Sequence, residues 1–146
     1  MKTEICIPIT AKTIDEAIIE LKEAEKLVDL IELRIDYIKD IDKNKLNKLL
    51  ENRNKKVIVT CISKDSNGNF EGNEEDRIDL LKSAIELNSD FIDIEIDVDK
   101  NAIKSIIDNK NKTKIIVSYH NFKETPDSEE LNKIYKTYSD VPESET

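Results

Sequence analysis

Short β-rich runs alternate strictly with helical segments along this chain, and few folds accept that order. The β-rich runs are 5–9 (ICIPI), 30–35 (LIELRI), 57–62 (VIVTCI), 91–96 (FIDIEI) and 115–119 (IIVSY). Between the first two, Ile14, Ala17, Ile18, Leu21, Ala24 and Leu27 recur at steps of three and four, the spacing of one helix face. Leu46, Leu49 and Leu50 mark a second helix. Ile78, Leu81 and Ile85 mark a third, with Asn73 as its expected cap, and Asp99 caps a fourth that carries Ala102, Ile103, Ile106 and Ile107. Thr125-Pro126 introduces a fifth, with Leu131, Ile134 and Tyr138. Alternation of this kind requires right-handed crossovers and a parallel sheet.

Two parallel architectures compete. Five units would fill a flavodoxin-like doubly wound sheet, a binding or signalling domain that needs no further part. Helices on both sides of such a sheet demand central strands that are apolar on both faces. These strands are not. The second puts Glu32 and Arg34 on one face and Ile31, Leu33 and Ile35 on the other; the fourth sets Asp93, Glu95 and Asp97 against Ile92, Ile94 and Ile96. The fifth pairs Ser118 with His120, and the third contributes Thr60 between Ile58 and Ile62.

A barrel accounts for the pattern: apolar residues meet outer helices while polar ones face a wet interior. We therefore expect an α/β fold of the (β/α)8 TIM-barrel type, with its site at the C-terminal ends of the strands, where Arg34 and His120 fall. Eight units need about 250 residues, or roughly 200 in compact cases, and this chain has 146. The expectation is an incomplete barrel of about five βα units, one partial domain over 1–146 with a frayed tail at 140–146. Its first and fifth strands would be open edges, which predicts low solubility alone or assembly through those edges.

Charge narrows the partners. A formal net charge of -9, with no basic patch to offset it, argues against nucleic acid or an anionic membrane as the main partner. It leaves room for a small anionic substrate, because one well-placed arginine binds a carboxylate locally. Cys6 and Cys61 lie in apolar strand-like runs without metal-ligand neighbours, and are expected as buried free thiols in a reducing compartment. The apolar run in MKTEICIPIT is too short for a signal peptide and no transmembrane stretch follows, so the cytoplasm is the expected location.

Three groups of residues carry candidate chemistry. Glu32 and Arg34 stand two apart on one strand face; the guanidinium fork suits a substrate carboxylate or hydroxyls, with Glu32 orienting it or accepting a hydroxyl. An internal ion pair that satisfies itself would leave the same trace. Asp93 and Glu95 are inward carboxylates that can neutralise Arg34 or a lysine, or shift the pKa of a nearby base; a solvated strand end looks alike. His120, the single histidine, follows a buried strand as a general base and acid would, or simply caps that strand.

Glu-Leu-Arg at 32–34, the Thr60 strand with its glycine-containing loop, NEEDRIDLL at 73–81, FIDIEI at 91–96 and VSYHNFKETP at 117–126 together resemble type I 3-dehydroquinate dehydratase. The resemblance runs in order from residue 5 to about 139. It implies a shikimate-pathway hydro-lyase of (β/α)8 fold, usually homodimeric, with no metal and no organic cofactor. It also implies a lysine Schiff base to the ketone of 3-dehydroquinate and a histidine that moves protons as water leaves to give 3-dehydroshikimate. His120 matches the histidine position, and Glu32 and Arg34 match the substrate-binding pair.

The departures are specific. The family's lysine lies on the strand after the histidine strand, where this chain reads YSDVPESET, with no lysine after Lys136. Lys64, Lys123, Lys133 and Lys136 fall outside the matching position. Ile62 and Ser66 stand where the family tends to carry arginine and glutamate. The resemblance therefore implies a chain inactive by itself. It would be a truncated product, a decayed copy, or one half of a split enzyme that a complementing C-terminal half restores; a third reading is a pseudo-enzyme that still binds an anionic ligand through Arg34 and His120.

Overall fold

The computed structural model describes residues 3–121 and 123–139. Phe122 and the tail expected at 140–146 lie outside the described residues. Five strands and five helices alternate among those described: β1 (Cys6–Ile9), α1 (Ile14–Ala24), β2 (Leu30–Arg34), α2 (Lys43–Glu51), β3 (Lys56–Thr60), α3 (Glu74–Glu86), β4 (Phe91–Glu95), α4 (Lys100–Asp108), β5 (Lys114–Ser118) and α5 (Ser128–Ser139). A 3-10 turn at Ile35–Tyr37 follows β2 directly.

The helices start where capping chemistry places them. Thr13 and Glu16 form a reciprocal capping box at α1. Asn73 accepts from the Asp76 amide at 2.9 Å, and Asp99 accepts from the amides of Asn101 and Ala102, as expected from sequence. Asp127, just after Pro126, accepts from the Glu130 amide at the start of α5.

The sheet runs β1-β2-β3-β4-β5 with every pair parallel. This order removes the flavodoxin-like alternative. A doubly wound sheet reverses its strand order at a switch point, so that helices cover both faces. Here each crossover steps the same way, and crossovers of one hand then lay all helices on one face. That face holds the core. Ile31, Leu33, Val57, Val59, Ile92, Ile94, Ile115 and Val117 are buried against Leu21, Leu46, Leu49, Leu81, Ala84 and Ile106 from the helices. The other face is the inside of a (β/α) barrel wall, and it carries the polar residues.

One expectation needs correcting. Cys61 is buried, but Cys6 is exposed. β1 is an edge of the described sheet, so its inward side chains lack a second neighbouring strand to cover them. Pro8, which has no amide hydrogen to give a ladder, is tolerated there for the same reason. No described helix is long and apolar enough to cross a membrane.

Candidate active site

Side chains two apart on a strand share a face, and the pairing register turns that rule into a site. Arg34 lies beside Thr60, Thr60 beside Asp93, and Glu95 beside Ser118. Glu32, Arg34, Thr60, Asp93, Glu95 and Ser118 thus share the inner face, and His120 sits two residues beyond Ser118 on an exposed segment. They run from the middle of the strands, at Glu32 and Asp93, to the C-terminal rim.

Arg34 finds a partner other than the expected one. Its guanidinium grips Asp36 in a two-bond fork, Nε donating to Oδ1 at 2.9 Å and Nη2 to Oδ2 at 2.8 Å. It also lies over the Tyr37 ring, 4.9 Å from the centroid. The 3-10 turn brings this about, because it curls Asp36 back toward the residue two before it. The bond to Asp36 raises the Arg34 pKa above its ordinary value against partial burial, and Glu32 adds only a weaker field. Glu32 is therefore not the fork's partner.

Asp36 does a second job. Its buried Oδ2 accepts from the Asn69 amide at 3.1 Å, so the loop after β2 holds the loop after β3. That 63–72 loop is tightly built: Gly68 donates its amide to the Ser63 carbonyl at 2.7 Å, and Phe70 donates to Ile62. A Cβ on Gly68 would stand 2.1 Å from the Ile62 carbonyl oxygen, which is why only glycine fits.

Glu95 is also claimed by a residue that sequence reasoning passed over. Arg77 on α3 is almost wholly buried. Its Nη1 donates to the Cys61 carbonyl at 2.6 Å and lies 3.1 Å from Glu95 Oε2, while Nε and Nη2 fork onto Glu74 at 2.8 and 2.7 Å. Burial opposes the charge on Arg77, but the Glu74 bonds and the fields of Glu74 and Glu95 outweigh it and hold the pKa above its ordinary value. Glu95 Oε2 also accepts from the Ser63 amide. The signal was present in NEEDRIDLL: Arg77 stands four residues before Leu81 and eight before Ile85, on the buried stripe of the helix. A charge there is either paired or very costly.

The inner wall between β3 and β5 holds buried polar atoms that are incompletely bonded among the described residues. Thr60 Oγ1, Asp93 Oδ1 and Ser118 Oγ are buried, and among the described residues none meets a hydrogen-bond partner of good geometry. Desolvation pushes the Asp93 carboxyl up to about 6, against the Ser118 hydroxyl and the nearby His120, which both favour the ionised form. Tyr138 of α5 packs against the core close enough to Asp93 that burial, and then the Asp93 charge, raises its phenol. Burial likewise raises the Cys61 thiol.

The raised Asp93 has a measurable consequence. Below about pH 4 it is protonated in both folded and unfolded chains and contributes no penalty. Between there and about 6 the folded chain keeps a proton that the unfolded chain releases, so stability from this group falls as pH rises and levels off above that window. The gap from an ordinary Asp corresponds to about 3 kcal/mol. Asp93→Asn is expected to gain on the parent between about pH 4 and 7 by that order. Urea unfolding of both chains at the two pH values measures it; a difference that does not change with pH would refute the assignment.

A groove of about 920 Å³ opens elsewhere, between the 36–43 segment, the 63–72 loop and α3, lined by Tyr37, Ile41, Lys64, Phe70 and Leu80 among others. None of Glu32, Arg34, Asp93, Glu95 or His120 lines it. No group of three or more His, Cys, Asp or Glu side chains among the described residues is placed to hold a metal ion.

The family model for type I 3-dehydroquinase matches residues 5–141. A bifunctional 3-dehydroquinate dehydratase/shikimate dehydrogenase of Arabidopsis thaliana is 38% identical over 144 residues, covering 94% of this chain and 24% of that protein. The 3-dehydroquinate dehydratase of Methanocaldococcus jannaschii is 35% identical over 132 residues, covering 89% of this chain and 59% of that enzyme. In structure, the 3-dehydroquinate dehydratase of Geobacillus kaustophilus superposes with a TM-score of 0.87 at 22% identity, over 97% of this chain and 59% of that one. The chain thus spans roughly three-fifths or less of the length of these relatives. The match begins just before β1 and runs beyond α5, through every element that builds the inner face, and the chain belongs to the type I 3-dehydroquinase family.

Proposed function

We propose that this chain carries the binding and proton-transfer part of a shikimate-pathway 3-dehydroquinate dehydratase site, without the covalent lysine. The observation that carries the reading is the inner wall of a family member: Arg34 on β2 and Asp93 and Glu95 on β4, bridged by Thr60 on the β3 strand between them, with His120 at the rim. Arg34, held in the Asp36 fork, offers a fixed cation to the substrate carboxylate. Thr60 Oγ1, Asp93 Oδ1 and Ser118 Oγ, buried and without a partner of good geometry among the described residues, suit the hydroxyls of a polyol. Glu32 shares the face and is available to accept another hydroxyl.

In this reading His120 removes the proton on the carbon next to the ketone. The electron pair expels the hydroxyl one carbon further on, and the proton returned by His120 lets it leave as water. Asp93 and Glu95 set the field around that exchange. In the family scheme a lysine imine takes up the charge during proton removal. The residues matched by the family model hold no lysine after Lys136, and proton transfer without a covalent catalyst is commonly slower by several powers of ten. The cytoplasm, where Cys6 and Cys61 stay reduced, is the compartment that fits this pathway.

The test combines trapping with titration. The chain is mixed with 3-dehydroquinate and borohydride, and the intact protein is weighed beside a full-length relative. No substrate-sized adduct is expected on this chain, and one on the relative. Titration calorimetry with quinate should show binding that Arg34→Ala weakens about tenfold or more, as loss of a charged hydrogen-bonding partner does. A trapped adduct would overturn the missing-lysine part, and the absence of any heat at millimolar quinate the binding part.

A further inference from the structure

The two arginines near the inner face are already committed. Arg34 forks onto Asp36, and Arg77 forks onto Glu74 with its remaining nitrogen toward Glu95. That leaves Glu32 and Asp93 outside every ion pair among the described residues. Glu32 is half-buried, with water in reach. Asp93 is 9% exposed, and its Oδ1 is buried without a hydrogen-bond partner among the described residues. A lone ionised carboxylate is costly in such a place.

The neighbours of Asp93 decide what it can do. Thr60 on β3 is its register partner and is 1% exposed, with Oγ1 equally unpartnered. Ser118 on β5 stands beside Glu95, one inward position further along, and its Oγ is unpartnered too. Three buried oxygens from three adjoining strands therefore sit side by side with no bond of good geometry among the described residues. The titratable groups around them are Glu32 on β2, Glu95 on β4, His120 beyond β5, and Tyr138 on α5 with Tyr119 near it. Burial, then Glu32 and Glu95, disfavour the Asp93 carboxylate; the Ser118 hydroxyl and His120 favour it, and burial prevails.

We infer that Asp93 meets its ligand as a neutral acid, donating its proton to a ligand oxygen, so that an anionic polyol takes one proton from the buffer into the site when it binds. An anion laid on this face beside an ionised Asp93 would set like charges together in a water-poor wall. The neutral acid removes one of those charges and supplies a donor. Glu32 and Glu95 can only accept while ionised, and the Thr60 and Ser118 hydroxyls turn to suit what they meet. Asp93 thus decides whether the wall selects a ligand oxygen or an ammonium. The inference deepens the proposed function and rests on it, and it concerns the charge state in which that site binds.

The test titrates quinate calorimetrically in buffers of different ionisation heat, between about pH 5 and 8. Quinate stays an anion over that range. Proton uptake on binding is expected, with an affinity that falls about tenfold or more as rising pH removes the neutral acid. Asp93→Asn keeps a donor at every pH, so its affinity should change less than about threefold over the same range. The Asp93 carboxyl is also followed by carbon-13 NMR, assigned by its loss in Asp93→Asn, and its titration midpoint should move up when quinate is added. Three results would each overturn this inference and leave quinate binding standing: heat without proton uptake, a midpoint that quinate leaves in place, or an asparagine variant with the parent's full pH dependence, which would give the effect to His120. An affinity that rises with pH would overturn it in favour of a cationic ligand. No heat at any pH would overturn the proposed binding as well.

Discussion

Arg77→Met is expected to cost about 3–5 kcal/mol of folding stability, because it removes one partner of a buried ion pair. The guanidinium binds three groups at once: Glu74 through a fork, the Cys61 carbonyl, and Glu95 across the rim. Methionine fills much of the same space, so a cavity is not the reason. The Glu95 side chain is 6% exposed and would be left with the Ser63 amide as its hydrogen-bond partner among the described residues. Lysine at this position keeps a charge without the fork, so Arg77→Lys should lie between parent and methionine variant. Equilibrium urea unfolding measures both. The pairing itself is isolated by adding Glu95→Gln: if Arg77 acts through Glu95, the double variant recovers part of the loss. A methionine variant within about 1 kcal/mol of the parent would show that the buried pair contributes nothing beyond a surface salt bridge.

The second large effect is expected at Asp36. Asp36→Ala strips Arg34 of both fork bonds and the Asn69 amide of its acceptor. Hydrogen bonds to charged groups each contribute about 1.5–3 kcal/mol. Arg34 is 18% exposed and can partly rehydrate, so a total loss of about 3 kcal/mol is expected rather than the full sum. The functional signature differs from that of Arg77. Freed from Asp36, Arg34 should lose its fixed aim at the inner face, and the 63–72 loop one of its ties. Hydrogen exchange at the Asn69 amide should speed up, and quinate binding should weaken even where Asp36→Ala stays folded. An Asn69 amide that exchanges at the parental rate would rule out the tie between the two loops.

Much of the fold was legible because its signals are local. A strand alternates faces every residue and a helix returns every three or four, so Ile31 and Leu33 against Glu32 and Arg34 could be read directly. Caps such as Asn73 and Asp99 reach amides two or three residues on, and were read for that reason. The argument for a barrel over a doubly wound sheet also rested on local alternation, and the sequential strand order bears it out.

Partnerships within the site were less legible. Glu32 is the nearer carboxylate by face, yet Arg34 chose Asp36, because a 3-10 turn begins at Ile35, the last residue of the expected strand. Glu95 was read as a counter-charge for Arg34 or a lysine; it meets Arg77, eighteen positions earlier and on another element. Cys6 looked as buried as Cys61 by its neighbours and is exposed because its strand is an edge. By itself, then, the sequence determined the elements, their faces, their caps and the family, since these depend on periods and contacts of a few residues. Only the tertiary structure decided which charges pair and which strands lie open, because both depend on distances between residues far apart in the chain, which no local pattern encodes.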